Sequence, residues 1–245
     1  MSVKSHYTVK KKILFKKHQG LQLRGDLFKP RRAKDLPMVL MIHGGAWKSR
    51  TGNMESVCRL LASQGFVVFN TTYRFAPKHP FPAALEDVES ALEFMRENGR
   101  ELGGDPKQIF VWGYSAGGHL ALLLGLNPSN KIKGIVAGGA PTNLCNWPGA
   151  RTVVEFMGKQ FHEDPDFWRK ASPVNHVRKN SPPVFLYHGK KDFIVGINHM
   201  LELQEKLKSQ NIPVQAKVFK WFGHFSLYLF HRPSVDAGIK FLRTI

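Results

Sequence analysis

"VWGYSAGGHLALLLG", residues 111–125, sets one serine among glycines where an apolar run (QIFVWG, 108–113) gives way to a leucine-rich one. The first run reads as a buried strand and the second as a buried helix, with Ser115 at the junction between Gly113 and Gly117. A strand that turns straight into a helix brings the two so close that residues two before and two after the turn have no room for a Cβ, a demand glycine meets. The hydroxyl at such a turn is lifted above the sheet edge, over a helix N-terminus that favours developing negative charge.

Outward from this stretch the same alternation recurs. "MVLMI" (38–42), "FVVFNTTY" (66–73), "IKGIVAGG" (132–139), "PVFLYHG" (183–189) and "VQAKVFKWF" (214–222) read as strands. Between and after them lie helical patterns: "SVCRLLASQG" ending at Gly65, "FPAALEDVESALEFMRENGREL" with Leu85, Val88, Leu92 and Met95 on one face, "INHMLELQEKLKSQ", and a last one near "SVDAGIKFLRTI". Continuous apolar strands joined by helices predict an α/β fold, a mostly parallel sheet covered on both faces. Residues 7–28 differ, alternating about a turn at "HQG" as an antiparallel N-terminal hairpin does. With no repeat, linker or low-complexity stretch, residues 1–245 are expected to form a single domain. Residues 143–181 are longer than a crossover needs, and two readings are open for their aromatic residues, among them Trp147, Phe156, Phe161 and Trp168: helices that simply pack, or a small lid lining a pocket.

Bulk composition narrows the class. A chain of 245 residues that is 42% hydrophobic, with 18 Phe and 5 Trp, has the makings of a globular core. No run approaches the length of a membrane helix, and the first twenty residues are basic without an apolar stretch that would serve as a secretory signal. Cys58 and Cys145 lie far apart without metal-ligand spacing, so both are expected reduced and buried, and the chain soluble and cytoplasmic with no membrane partner. The formal charge of +18 favours anionic partners, yet the basic residues are spread along the chain, densest at Lys10, Lys11, Lys12, Lys16 and Lys17. No nucleic-acid module surrounds them, so the expectation is a solvated basic surface and no nucleic acid. Nothing in the sequence speaks to oligomeric state.

A serine hydroxyl is a poor nucleophile unless a base takes its proton, and that base needs an orienting partner. Both should lie at the carboxyl ends of later strands, where loops converge on one edge of the sheet. Asp192 follows the strand at 183–188 and His224 follows that at 214–222, giving the chain order Ser115, Asp192, His224. His188 precedes the acid, His199 falls inside a helix and His231 opens the last helix; Glu163, Asp164 and Asp166 sit in the insertion. An oxyanion formed in acyl transfer needs donors already in place, and "MIHGGAW" (41–47), after a buried strand, can supply amides alongside that of Ala116.

These segments, with "YRFAPKHPFPAALEDV", "GGDPKQIFVWGYSAGGHLAL", "ASPVNHV", "HGKKDFIV" and the "GH" at 223–224, resemble α/β-hydrolase-fold carboxylesterases of the hormone-sensitive-lipase and acetyl-esterase type, from about Pro37 to the C-terminus. The resemblance implies Ser115 as nucleophile, His224 as general base, Asp192 as its acid, and Gly44, Gly45, Ala46 and Ala116 as the oxyanion hole. The chain departs from that family in reading HGGA rather than HGGG and in carrying Gly196 where proline is frequent; only a hairpin precedes the first parallel strand in place of the family's long N-terminal cap, so any lid is expected from the insertion. His119, Tyr73 and Arg74 read as structural.

The implied activity is cleavage of small-molecule carboxylic esters of short to medium acyl or aryl groups through an acyl-enzyme, without metal or organic cofactor. Activity should then rise with pH as the base becomes neutral. An arylformamidase, amidase or small peptidase would use the same three residues, and a non-catalytic ligand-binding homologue the same fold. Trp47, Trp221 and Phe225, with Phe222, flank the candidate site and read either as an apolar substrate pocket or as core.

Overall fold

The computed structural model describes residues 6–51 and 53–245; residues 1–5, the start of the basic N-terminal stretch that lacks a signal-like apolar run, and Gly52 lie outside the described residues. Eight strands form one sheet: β1 (Tyr7–His18), β2 (Leu21–Pro30), β3 (Leu36–Ile42), β4 (Val67–Thr71), β5 (Gly104–Tyr114), β6 (Ile135–Gly138), β7 (Val184–Gly189) and β8 (Val214–Phe219). Their order is β1-β2-β4-β3-β5-β6-β7-β8. β1 and β2 pair antiparallel, as do β2 and β4, and all the remaining pairs are parallel.

Strand alternation divides the interior into two layers. Met38, Leu40 and Ile42 of β3 and Ile109 and Val111 of β5 face one side, with α2 (Ala83–Leu102), α3 (Ala116–Leu126) and α6 (Asn198–Ser209) over them. Val39 and Met41, with Phe110, Trp112 and Tyr114, face the other, under α1 (Glu55–Ser63) and α8 (Arg232–Leu242). A strand apolar on both faces therefore needs a helix on each side, and each fully buried aliphatic side chain contributes roughly 1.5–3 kcal/mol. α3 is apolar all round, and every one of its residues is buried.

Connectivity fixes where a site can form. From β3 the chain passes through α1 to β4 on one side, then through α2 back across β3 to β5 on the other. The crevice at the carboxyl ends of β3 and β5 is thus a topological switch point, and both "HGGAW" and Ser115 stand at it.

Three readings are refined. β8 ends at Phe219, and the amide of Phe222 turns back to the Phe219 carbonyl (3.3 Å), so Trp221 and Phe222 are not strand residues. His224 opens a short helix, α7 (His224–Leu229), rather than standing in a loop. Cys145 is half-buried rather than buried, while Cys58 is fully buried; both are free thiols. The insertion folds into α4 (Arg151–Met157) and α5 (Pro165–Lys170) among short 3₁₀ turns, and its Phe156, Met157 and Trp168 are core residues.

Candidate active site

Ser115 occupies φ 56° and ψ −125°, a conformation disfavoured for a side-chain-bearing residue and worth about 1–3 kcal/mol of strain. Close packing holds it there. A Cβ on Gly113 would stand 2.1 Å from the Gly117 carbonyl oxygen, and one on Gly117 would stand 2.1 Å from that of Ile42. The Ser115 amide donates to Gly138 of β6 (2.8 Å), tying the turn to the next strand.

The carboxylate of Asp192 and the imidazole of His224 arrive from the ends of β7 and β8. Asp192 Oδ1 accepts from the amides of Ile194 (3.0 Å) and Val195 (2.8 Å), leaving Oδ2 for His224 Nδ1 at 2.6 Å. Because that carboxylate accepts, Nδ1 carries the proton, and Nε2 is left to accept from Ser115 Oγ at 2.9 Å. Burial by itself would raise the Asp192 carboxyl, but hydrogen bonds from His188 and His224, the His224 charge and the Val195 amide outweigh it and hold the group well below the usual carboxylate range. Three residues separated by up to 109 positions are thereby joined in one hydrogen-bonded line.

Gly44 runs directly against this turn: a Cβ there would lie 2.9 Å from the Tyr114 carbonyl oxygen and 3.3 Å from the Ser115 Cβ. Gly45, Ala46 and Trp47 all have positive φ (113°, 54° and 59°), so the chain reverses sharply beside the serine, and the Gly45 carbonyl accepts from the amides of Lys48 (3.0 Å) and Ser49 (3.2 Å). Ala116 is the first residue of α3, where an amide has no helical acceptor. His43 anchors the loop from behind. Its Nδ1 contacts the Gly44 carbonyl (2.7 Å), its Nε2 the Thr72 hydroxyl (3.0 Å), and its ring stacks on Tyr73 (4.5 Å), whose hydroxyl donates to the His43 carbonyl (3.1 Å). Burial lowers the pKa of His43 to about 4, so it is neutral.

Two clefts meet at the serine. One, of about 340 Å³, has His224, Lys48, Thr51, Phe225 and Tyr228 in its wall; the other, of about 330 Å³, has Trp47, Pro141, Trp147, Val153 and Val195. Ser115, Ala46 and Ile194 border both. α4 thus contributes a wall as well as core.

The residues expected at the site are not all brought to it. Phe225 lines the first cleft; Trp47 lines the second by an edge while buried, its Nε1 donating to His119 Nδ1 (3.2 Å) and its ring stacked on Phe156 (4.3 Å). Trp221 is the exception: 71% exposed and bordering neither cleft, because β8 ends two residues earlier and the chain has already turned outward. His119, Tyr73 and Arg74 are structural as read. His119 Nε2 meets the Ala171 carbonyl (2.7 Å), and Arg74 Nε pairs with buried Asp87 (2.8 Å).

Sequence reasoning passed over Tyr114, whose hydroxyl donates to the His224 carbonyl (2.7 Å), and set aside His188, whose Nε2 bonds the Val195 carbonyl (2.7 Å) and lies 3.4 Å from Asp192 Oδ2. Tyr114 could have been found from its position next to Ser115; His188 could not, because the carbonyl it holds lies seven residues on across a loop. Among the described residues, no group of three His, Cys, Asp or Glu side chains is placed to hold a metal ion, and no helix is long and apolar enough to cross a membrane.

Comparison with known proteins agrees with this architecture. The chain is 30% identical to the esterase LipC of Mycobacterium tuberculosis over 72% of its own length and 49% of that protein, and 28% identical to the uncharacterized peptidase YtmA of Bacillus subtilis over 84% and 82%. It spans about half the length of the first curated relatives it matches. A solved structure, a truncated form of a carbohydrate esterase from gut microbiota, superposes with a TM-score of 0.88 at 20% identity, over 99% of this chain and 98% of that one. The BD-FAE family model matches residues 26–207, most of the chain including Ser115 and Asp192, and the protein, an α/β-hydrolase in fold, belongs to the BD-FAE family.

Proposed function

We propose that the protein hydrolyses small-molecule carboxylic esters through an acyl-enzyme, with Ser115 as nucleophile, His224 as base and Asp192 as the acid that orients it. The observation that carries this reading is the continuous line from Ser115 Oγ to His224 Nε2 (2.9 Å) and from His224 Nδ1 to Asp192 Oδ2 (2.6 Å). As Oγ attacks the ester carbonyl, its proton passes to Nε2, and Asp192 stabilises the resulting imidazolium. The carbonyl electrons move onto oxygen. Amides of Gly44, Gly45, Ala46 and Ala116 are the donors available to that oxyanion, and one such donor is typically worth about 3 kcal/mol.

Nε2 next protonates the leaving alkoxide, so the alcohol must depart on the side lined by His224. The alcohol portion then lies in the cleft with Lys48, Thr51, Phe225 and Tyr228, and the acyl group in the other, with Trp47, Trp147 and Val153. A cleft of about 330 Å³ accommodates a short to medium acyl chain or an aryl group. Water activated by His224 then releases the acid. Two free thiols support a reducing, cytoplasmic setting.

The test is a panel of p-nitrophenyl esters of increasing acyl length with the wild type and Ser115→Ala, together with labelling by a fluorophosphonate. Turnover is expected to fall by roughly 10⁴-fold or more in the variant, with labelling abolished. Undiminished hydrolysis would place the nucleophile elsewhere. An N-formyl arylamide and a dipeptide p-nitroanilide run beside the esters separate the amide-cleaving alternatives, which use the same groups.

A further inference from the structure

The segments that deliver the acid and the base carry a second feature that ester hydrolysis does not use. Ten large hydrophobic residues are exposed among the described residues, and seven of them, Phe193, Ile194, Val218, Trp221, Phe225, Leu229 and Phe230, lie on these two segments. Phe193 is 95% exposed and Trp221 71%, values no packing role explains. The segments are neighbours: the Lys190 amide donates to the Phe219 carbonyl (3.0 Å), and that of Lys191 to the Phe222 carbonyl (2.9 Å). Ile194 and Phe225 also border the cleft at Ser115, so the mouth of that cleft opens within this apolar face.

Its charge is of one sign. Lys190, Lys191, Lys217 and Lys220 are exposed, and none of them joins an ion pair among the described residues. The Lys191 and Lys220 ammonium groups lie over the Trp221 ring (5.2 and 5.0 Å), and that of Lys217 over the Phe219 ring (5.1 Å). Nearby carboxylates are engaged: Asp192 is buried against His224, and Asp236 is bound by Arg232. Aromatic and aliphatic side chains projecting among unpaired lysines match the requirements of an interface that is hydrocarbon beneath and anionic above.

We propose that the face formed by residues 190–194 and 217–230 docks on anionic lipid surfaces, presenting the Ser115 cleft to the interface. Exposed aliphatics, Ile194 and Leu229 among them, favour hydrocarbon over stacked bases, and four like-charged lysines oppose pairing with a second copy of the same face. Docking is independent of the serine's chemistry, so it is measured on Ser115→Ala, in which lipid esters are not consumed.

The experiment is co-sedimentation of that chain with vesicles of phosphatidylglycerol and phosphatidylcholine, against vesicles of phosphatidylcholine alone. Binding is expected only to the anionic vesicles, with a blue shift in tryptophan emission from Trp221, and with at least about tenfold weakening in both Phe193→Ser/Phe230→Ser and Lys191→Glu/Lys220→Glu. In the wild-type background both pairs should retain p-nitrophenyl acetate turnover within about twofold, which also reports their folding. Absence of vesicle binding overturns the proposal. So does binding that neither pair weakens, or that only the charge pair weakens, since each outcome makes the net positive charge the cause. Retention on heparin that depends on the same residues, without vesicle binding, would assign an acidic polymer instead, and concentration-dependent dimerisation lost in the Phe pair would assign a second copy.

Discussion

Ser115 leaves β5, which has a strand on either side, and enters a helix with no exposed residue; Asp192 and His224 leave β7 and β8, and β8 is the sheet's edge, exposed along most of its length. The central half of the site is held by backbone against backbone, with Gly113 and Gly117 at distances no Cβ tolerates. The edge half is held by side chains: Asp192 on two amides, His188 on the Val195 carbonyl, Tyr114 on the His224 carbonyl. The difference predicts that the two halves fail differently. Damage to the centre costs the fold, and damage to the edge costs rate.

Acid should expose the contrast most strongly. Burial holds His43 and His119, which brace the serine side, at a pKa of about 4, and the same holds for His199 beneath the insertion. A histidine depressed from 6.5 binds its proton more readily in the unfolded chain, so its stabilisation is complete above pH 6.5 and is lost as pH falls towards 4. Each corresponds to a loss on the order of 3 kcal/mol. Asp192, depressed below its ordinary 3.8, stays ionised through that window and contributes nothing to the loss. Urea midpoints at pH 7.5, 6, 5 and 4.5 should therefore fall steeply below about 6.5, and His119→Gln should flatten the slope. A midpoint constant to pH 4.5 would show these imidazoles not to be buried neutral.

Next in size is a pair of glycine substitutions. A Cβ at Gly117 meets the carbonyl oxygens of Ile42 and His43 at 2.1 and 2.6 Å, so Gly117→Ala must push the start of α3 away from the end of β3 and should cost at least about 3 kcal/mol, roughly 6–12 °C in melting temperature. At Gly196, in the acid loop, a Cβ meets only the Asn198 side-chain oxygen, which can swing away, and Gly196→Ala should stay within about 0.5 kcal/mol. Equal melting temperatures for the two would erase the distinction between centre and edge.

The same distinction explains what the sequence made legible. Strands and helices of the central sheet could be read because an apolar strand leading to glycine and then a leucine-rich run are local signals, as at 108–125. Asp192 and His224 were legible only through their placement after strands, a rule that gives position without orientation. What stayed hidden depends on contacts between distant residues. Trp47 borders a cleft as read, but that it is also buried core shows only once its partner His119, 72 residues on, is seen to bind its indole. Trp221 reads as the end of a strand that in fact stops at Phe219, since an exposed edge strand gives no apolar alternation to mark its limit. His188 could not be ranked because its work is done on a carbonyl.

That work gives the third prediction. His188 is buried, and losing its bond to the Val195 carbonyl (2.7 Å) frees the loop whose amides hold Asp192. His188→Phe should lower kcat about tenfold with KM within about twofold, since orientation is lost and substrate contacts are not. His188→Gln, which restores a donor, should recover most of it. Equal falls in kcat and rises in KM would make it a packing residue only.

The smallest effect is expected at Tyr114, the one residue that touches both halves. It is the last residue of β5 and immediately precedes Ser115, yet its hydroxyl donates to the His224 carbonyl (2.7 Å) and its ring lies 5.1 Å from the imidazole. Burial, with the nearby Tyr187 hydroxyl and Asp192, pushes its pKa well up, so it remains a neutral donor at any working pH. Tyr114→Phe keeps the ring and removes one buried hydrogen bond, leaving the carbonyl without that donor, a cost of about 1–2 kcal/mol in stability. Because the backbone of His224 is also fixed by α7, where the Leu227 amide bonds the Gly223 carbonyl (3.0 Å), the imidazole should wander only slightly. Ester turnover should then fall about two- to fivefold. A loss beyond about a hundredfold would mean that the base is positioned from the centre of the sheet after all, and that the edge has no independent hold on it.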